Sequence, residues 1–220
     1  MKHVVITGAN RGIGFQFAKQ YSKAGYKVTA VCRNNSKQLT ELDVDIIEGV
    51  DVTKESDLLR MKESIGSKPI DILINNAGLL NNDELGDIDG GSLRAQYEVN
   101  AIAPLRVTDA LLDNLSDGSK VGLITSRMGS IADNGSGSRY GYRMSKAALN
   151  AAGKSLALDL KDQGIAVVLL HPGYVQTEMV GNRGDITAEE AAGRLIKRIA
   201  ELTLEKTGNF YHSNGEELPW

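Results

Sequence analysis

Short apolar runs recur along the chain, and between them apolar residues fall three and four apart on a polar background. Runs of the first kind read as strands buried on both faces, and stretches of the second kind as helices with one apolar face. Seven runs qualify as strands: residues 3–7, 26–32, 44–50, 69–74, 120–125, 165–170 and, as an edge strand, 209–212. A helix is expected after Gly14, with Ile13, Phe17, Ala18 and Tyr21 on one face. Others are expected over 54–65 with Thr53 as N-cap, over about 92–115, and from Tyr142 onward. The last is opened by a Thr187-Ala188-Glu189-Glu190 capping box and runs to about residue 204. Strand and helix alternate from end to end, the pattern of a parallel α/β sheet wound on both sides. No linker, repeat or low-complexity stretch divides it, so a single domain over 1–220 is expected. Within the helix expected over about 92–115, Pro104 removes a backbone donor and crowds the carbonyl of Asn100, which predicts a kink there.

Composition narrows the setting. The chain has 220 residues, 41% of them hydrophobic, enough to bury one core. With 25 basic against 28 acidic residues, and no basic blocks interleaved with aromatics, nothing suggests a nucleic-acid surface. The lone Cys32 lies in an apolar run and suits a buried thiol in a reducing compartment. The N-terminal apolar stretch is too short for a signal peptide, and no run approaches membrane-spanning length. A cytoplasmic protein without membrane partners is the expectation.

The polar residues that stand out fall after the strands. Gly8-Ala9-Asn10-Arg11-Gly12-Ile13-Gly14 follows the first strand and leads into a helix, an arrangement in which backbone N–H groups and a helix N-terminus bind phosphate. After the second strand stands Arg33 rather than an acidic residue. A carboxylate there would bond a ribose 2′-hydroxyl, whereas an arginine accommodates a 2′-phosphate, so Arg33 with Arg11 favours NADP(H) over NAD(H). Asp51 and Val52 close the third strand, with Asp51 placed for an adenine amino group. Asn75-Asn76-Ala77-Gly78 closes the fourth, suited to a backbone that passes close to a ligand.

Ser126 ends the fifth strand, and residues 127–141 form a Gly/Ser-rich stretch placed to wall a pocket. Tyr142 and Lys146 then share one helical face one turn apart, so that a fixed cation could bring a phenol into range as a general acid/base. Pro172-Gly173 follows the sixth strand, and the adjacent His171 reads as a structural histidine.

Together, Thr7-Gly8-x-x-x-Gly12-x-Gly14, Asn75-Asn76-Ala77-Gly78, Asn100, Ser126, Tyr142-x-x-x-Lys146 and Pro172-Gly173 resemble the short-chain dehydrogenase/reductase family over nearly the whole chain. The glycine loop and the Leu-Pro-Trp ending are similar to its carbonyl-reductase branch, which includes the C-factor and sniffer proteins. The resemblance implies a single-domain Rossmann-type sheet of order 3-2-1-4-5-6-7 and hydride transfer between NADP(H), or NAD(H), and a carbonyl or alcohol. It implies Tyr142 as proton donor, Lys146 lowering its pKa and holding the nicotinamide ribose, Ser126 on the substrate oxygen, and Asn100 anchoring a water. Asn76, Ala77 and Gly78 with the glycine loop would support the cofactor, and Val175 and Thr177 would lie near the nicotinamide amide. No metal is called for, and a homodimer or homotetramer is implied.

One departure is the long gap from Ser126 to Tyr142, which leaves Ser130 as a rival serine. The short stretch after Thr177, residues 178–185, suggests an open pocket. An NAD-dependent alcohol dehydrogenase and a dinucleotide-binding sensor remain alternatives.

Overall fold

The computed structural model describes residues 1–220. Its centre is a parallel sheet of seven strands: β1 (His3–Thr7), β2 (Lys27–Val31), β3 (Asp45–Ile47), β4 (Ile72–Asn75), β5 (Lys120–Ile124), β6 (Ala166–His171) and β7 (Phe210–His212). Their order is β3-β2-β1-β4-β5-β6-β7, with β1 paired to both β2 and β4 in the middle. This is the expected Rossmann-like order, in which the chain reverses direction beside β1 and opens a crevice there.

Successive residues of each strand enter different cores, because strand side chains alternate between faces. Val5, Leu73, Val121 and Leu169 pack with Leu58, Met61, Val107 and Leu149. Val4, Ile6, Ile74 and Leu170 pack on the other face with Phe17, Tyr21, Leu195 and Ile199. These helical residues belong to α3 (Glu55–Ile65), α5 (Ala103–Ala110) and α6 (Tyr140–Asp159) on one side, and to α1 (Gly12–Lys23) and α7 (Ala188–Ala200) on the other, while α2 (Lys37–Thr40) is a single turn after β2. With both faces covered, near-continuous apolar strands are what the sheet requires.

Several boundaries differ from the sequence expectation, each for a local reason. The strands are mostly shorter than the apolar runs; β3 keeps only three residues. Thr53 does not cap the third helix: its hydroxyl and N–H both go to Asp51 Oδ1, at 2.8 and 3.1 Å, and Lys54 takes the cap position. The long helix expected over 92–115 starts earlier and is broken. Asp89 caps α4 (Gly90–Tyr97) by accepting from the N–H groups of Gly91 and Ser92. A π-helical turn, Glu98–Ile102, then joins α4 to α5, and the chain tightens to a 3₁₀ turn over Leu112–Asn114. Pro104 accounts for the wide turn, since it offers no N–H to Asn100 and the chain closes a longer ring instead. Tyr142 is the third residue of α6, not its first. Thr187 does cap α7, accepting from Glu190 N–H, and that helix stops at Ala200. A small parallel ribbon, Val175–Gln176 with Ile186–Thr187, stands outside the main sheet.

His3 ties three segments together from β1. Its Nε2 lies 2.8 Å from Thr29 Oγ1 and its Nδ1 2.9 Å from the Pro69 carbonyl. Burial is the largest influence on this imidazole and lowers its pKa from 6.5, so the folded chain holds it neutral. Its contribution to stability is therefore complete above 6.5 and is lost as pH falls, because only the unfolded chain takes up the proton. The urea midpoint should drop between about pH 7.5 and about pH 5.5, and drop less in His3→Gln; equal slopes in the two proteins would contradict the assignment.

Candidate active site

The carboxyl ends of β1, β2, β4, β5 and β6 open onto one cleft of about 560 Å³. Asn76 lines it and is tied to Thr7 at the end of β1. Asn76 and Ala77 donate their backbone N–H groups to Thr7 Oγ1 at 3.0 and 3.2 Å, and Asn76 Nδ2 donates to the carbonyls of Thr7 and Gly8, both at 3.1 Å. This lacing fixes the glycine loop against β4. Gly8 has φ +66°, and a Cβ on Gly14 would run into the Gly8 carbonyl, so neither position admits a side chain without displacement. Helix α1 begins at Gly12 with no side-chain cap on its first N–H groups and no acidic residue in its first turn. Those donors face the cleft wall formed by Arg11, Gly12, Ile13 and Gly14, a ready anion site.

Most of the sequence-derived cofactor residues line this cleft: Gly8, Asn10, Arg11, Gly12, Ile13, Gly14, Arg33, Asp51, Val52, Asn76, Ala77, Gly78, Tyr142, Lys146, Pro172 and Thr177. Gly173 and Val175 are not on its wall. Gly173 turns at φ +99° against Ile186 and His212, and Val175 is buried in the small ribbon, leaving Gln176 to face the cleft. Sequence reasoning passed over Thr125, Leu79, Val99 and Met179, which also line it. Of these only Thr125 had a signal, its place beside Ser126. Arg11 is engaged by Glu178 in an exposed ion pair of 2.6 Å across the mouth, so the two arginines differ: Arg33 stands free of that contact.

At the inner end Lys146 is 4% exposed, its Nζ donating to the Ile124 carbonyl at 2.8 Å and lying 5.8 Å from the centre of the Tyr142 ring. Burial brings its ammonium down to about 7. Tyr142 is part-exposed as a residue, yet burial around its hydroxyl is the dominant influence and raises its pKa. A hydrogen bond with Ser126 and the charge of Arg139 pull it the other way. Lys146 is itself desolvated and anchored to β5, 5.8 Å from the centre of the Tyr142 ring, and burial keeps the phenol protonated near neutrality.

Ser126 and Ser130 are separated by the structure. Ser126 is 6% exposed just after β5, its hydroxyl accepting from Met128 N–H at 3.1 Å and close enough to Tyr142 to lower that phenol's pKa, but it does not stand on the cleft wall. Ser130 instead donates to the Trp220 carbonyl at 3.2 Å and accepts from Asp133 N–H. Asn100 does not reach the cleft with its side chain. It is fully buried in the π-helical turn, its Oδ1 accepting from Leu79 N–H at 2.8 Å and its Nδ2 donating to the Leu79 carbonyl at 2.7 Å and to Ser145 Oγ at 3.0 Å. Here it braces the strand-four loop against α6.

A family model described as short chain dehydrogenase matches residues 2–188. The chain belongs to the short-chain dehydrogenase family. Among curated relatives of this short-chain dehydrogenase, a 1-hydroxy-2-glutathionyl-2-methyl-3-butene dehydrogenase of Rhodococcus sp. (strain AD45) is 38% identical, covering 100% of both chains. The C-signal protein of Myxococcus xanthus is 44% identical over 69% of this chain and 93% of its own. Among solved structures, an NADPH-bound carbonyl reductase from chicken fatty liver superposes with a TM-score of 0.92 at 29% identity, over 100% of this chain and 99% of that one. These likenesses agree with the oxidoreductase family and carbonyl-reductase branch that the motifs resemble. No helix of this dehydrogenase is long and apolar enough to cross a membrane.

The close fit of Gly14 can be tested directly. Gly14→Ala should weaken NADPH binding by about tenfold or more while leaving the circular dichroism spectrum unchanged, since the added Cβ displaces the glycine loop and little else. Unchanged affinity in a fluorescence titration would remove the loop from the cofactor site.

Proposed function

We propose that this short-chain dehydrogenase is an NADPH-dependent carbonyl reductase, and the observation that carries the reading is Tyr142 and Lys146 standing together at the inner end of a dinucleotide-sized cleft, with Ser126 beside Tyr142. The cleft suits the cofactor. The uncapped N-terminus of α1 and the glycine loop would hold the pyrophosphate, and Arg33 the 2′-phosphate. Asp51, with one carboxylate oxygen engaged by Thr53, keeps the other for the adenine amino group. Bound there, the nicotinamide supplies the hydride.

The chain's own residues manage the oxygen and the proton. Ser126 bonds the substrate carbonyl oxygen, and Tyr142 gives its phenolic proton as negative charge develops on that oxygen. Burial holds Tyr142 in the protonated form, which is the form that reduction consumes. Lys146 in its charged form stabilises the phenolate left behind, and Asn100 keeps α6 in place through Ser145. The opposite direction, alcohol oxidation, is favoured by the full-length Rhodococcus relative, whose name makes it a dehydrogenase. The reading includes a homodimer or homotetramer, on the exposed apolar residues Tyr97, Leu105, Met144 and Leu158 of α4–α6.

With NADPH and a ketone, Tyr142→Phe should lower kcat by about 10²–10⁴ while cofactor binding persists. Ser126→Ala should cost about 10²–10³ and Ser130→Ala less than about threefold; the reverse ranking of the serines would overturn the assignment. Arg33→Gln should narrow the preference for NADPH over NADH by about tenfold, read from kcat/KM with each cofactor. An unchanged ratio would exclude Arg33 from 2′-phosphate recognition.

A further inference from the structure

The residue that fixes the entrance to α6 lies far away in sequence. Asp83 sits in the polar loop between β4 and α4 and is only 2% exposed. Its carboxylate is engaged on both oxygens. Oδ1 accepts from Ser92 Oγ at 3.0 Å, while Oδ2 accepts from Gln96 Nε2 at 2.9 Å and from the Gly141 N–H at 3.2 Å. Its backbone carbonyl accepts from the Arg139 N–H at 2.8 Å. The carboxylate therefore meets hydroxyl, amide and backbone donors at the N-terminus of a 20-residue helix.

Helix α6 needs such a partner. Its N-cap residue, Arg139, makes no side-chain capping bond, and the first turn contains no acidic residue. Ser138 and Arg139 enter it at φ +47° and +54°, a left-handed pair of non-glycine residues that local preference does not produce. Contacts from outside hold the turn. Gly141 is glycine for the same reason: a Cβ there would lie 2.8 Å from Asp83 Oδ2 and would run into Gln96 Nε2.

The support continues along one helix face. Ser92, Gln96 and Asn100 follow at intervals of four, and all three bond to the loop that carries Leu79, Asn81 and Asp83. Asn100 reaches Ser145 Oγ, which donates to the Tyr142 carbonyl at 2.9 Å. Tyr142 is thus held on its N-terminal side by Asp83 through Gly141, and on its own carbonyl by Asn100 through Ser145.

We propose that Asp83 is a positioning residue for the reaction: it caps α6 from another loop and sets where the Tyr142 hydroxyl stands relative to Ser126. The inference rests on Tyr142 as the proton donor. Small misplacements of such a group are costly, so Asp83→Ala should lower kcat by about 10–100-fold with NADPH affinity within about twofold of the parent. Asp83→Asn keeps an acceptor for the Gly141 N–H and turns its amide toward Ser92 Oγ, and it should restore kcat to within about threefold.

The experiment measures kcat, the NADPH dissociation constant and the thermal midpoint for both variants beside Tyr142→Phe. Parental kcat in folded Asp83→Ala overturns the proposal. So does a loss of kcat matched by an equal loss of NADPH binding, and so does an asparagine variant as slow as the alanine one. If Asp83→Ala does not fold, Gly141→Ala replaces it, because its Cβ separates the same groups; it must lower kcat at unchanged NADPH affinity or the proposal fails. Full activity in Tyr142→Phe would instead strike the acid assignment itself, a result distinct from any of these.

Discussion

The site depends on how closely α6 can approach the carboxyl end of β5. Gly129, in the 3₁₀ turn after Ser126, has no room for a Cβ: one would lie 2.7 Å from the Lys146 carbonyl carbon and 2.8 Å from its oxygen. Gly153, farther along α6, meets Leu123 and Leu169 in the same way. With those two contacts made, Lys146 Nζ reaches the Ile124 carbonyl and Tyr142 stands beside Ser126. The small residues of α6 therefore serve packing on the protein's own sheet, and the catalytic candidates are delivered as a consequence of that packing.

The same closeness sets the chemistry. A lysine withdrawn from water holds its proton less firmly, and Lys146 falls to about 7. A tyrosine withdrawn from water holds its proton more firmly, and Tyr142 moves the other way. The pair is thereby tuned toward a protonated phenol beside an ammonium that titrates near neutrality. Such a pair is suited to giving a proton to an alkoxide. The buried amide and carboxylate bonds of the strand-four loop to α4 and α6 keep the two groups from relaxing out of that arrangement.

What the chain reveals by inspection follows from which interactions are local. The strands are legible because a sheet covered on both faces needs unbroken apolar runs, and the glycine loop because its turns demand φ above zero at Gly8 and Gly12. Pro104 announces the break beside Asn100 for the same reason. Tertiary relations are hidden. Whether Ser126 or Ser130 meets Tyr142 depends on the 3₁₀ turn between them, and Asp83 looks like one acid among several in a solvated loop until the fold brings Gly141 to it, 58 residues on. The family resemblance implies Gly173 and Val175 beside the cofactor, yet neither lines the cleft, Val175 being buried in the small ribbon. Spacing on a helix places Lys146 beside Tyr142 but carries no information about desolvation, which raises the phenol's pKa and lowers the ammonium's.

The most direct test of the account follows the hydride itself. NADPH carrying deuterium at the transferable position of the nicotinamide ring would be incubated with the enzyme and a panel of ketones, aldehydes and quinones, and the products weighed. The account predicts an alcohol with one deuterium on the former carbonyl carbon, formed far faster than with deuterated NADH. Tight binding of NADPH with no deuterium delivered to any member of the panel would contradict it.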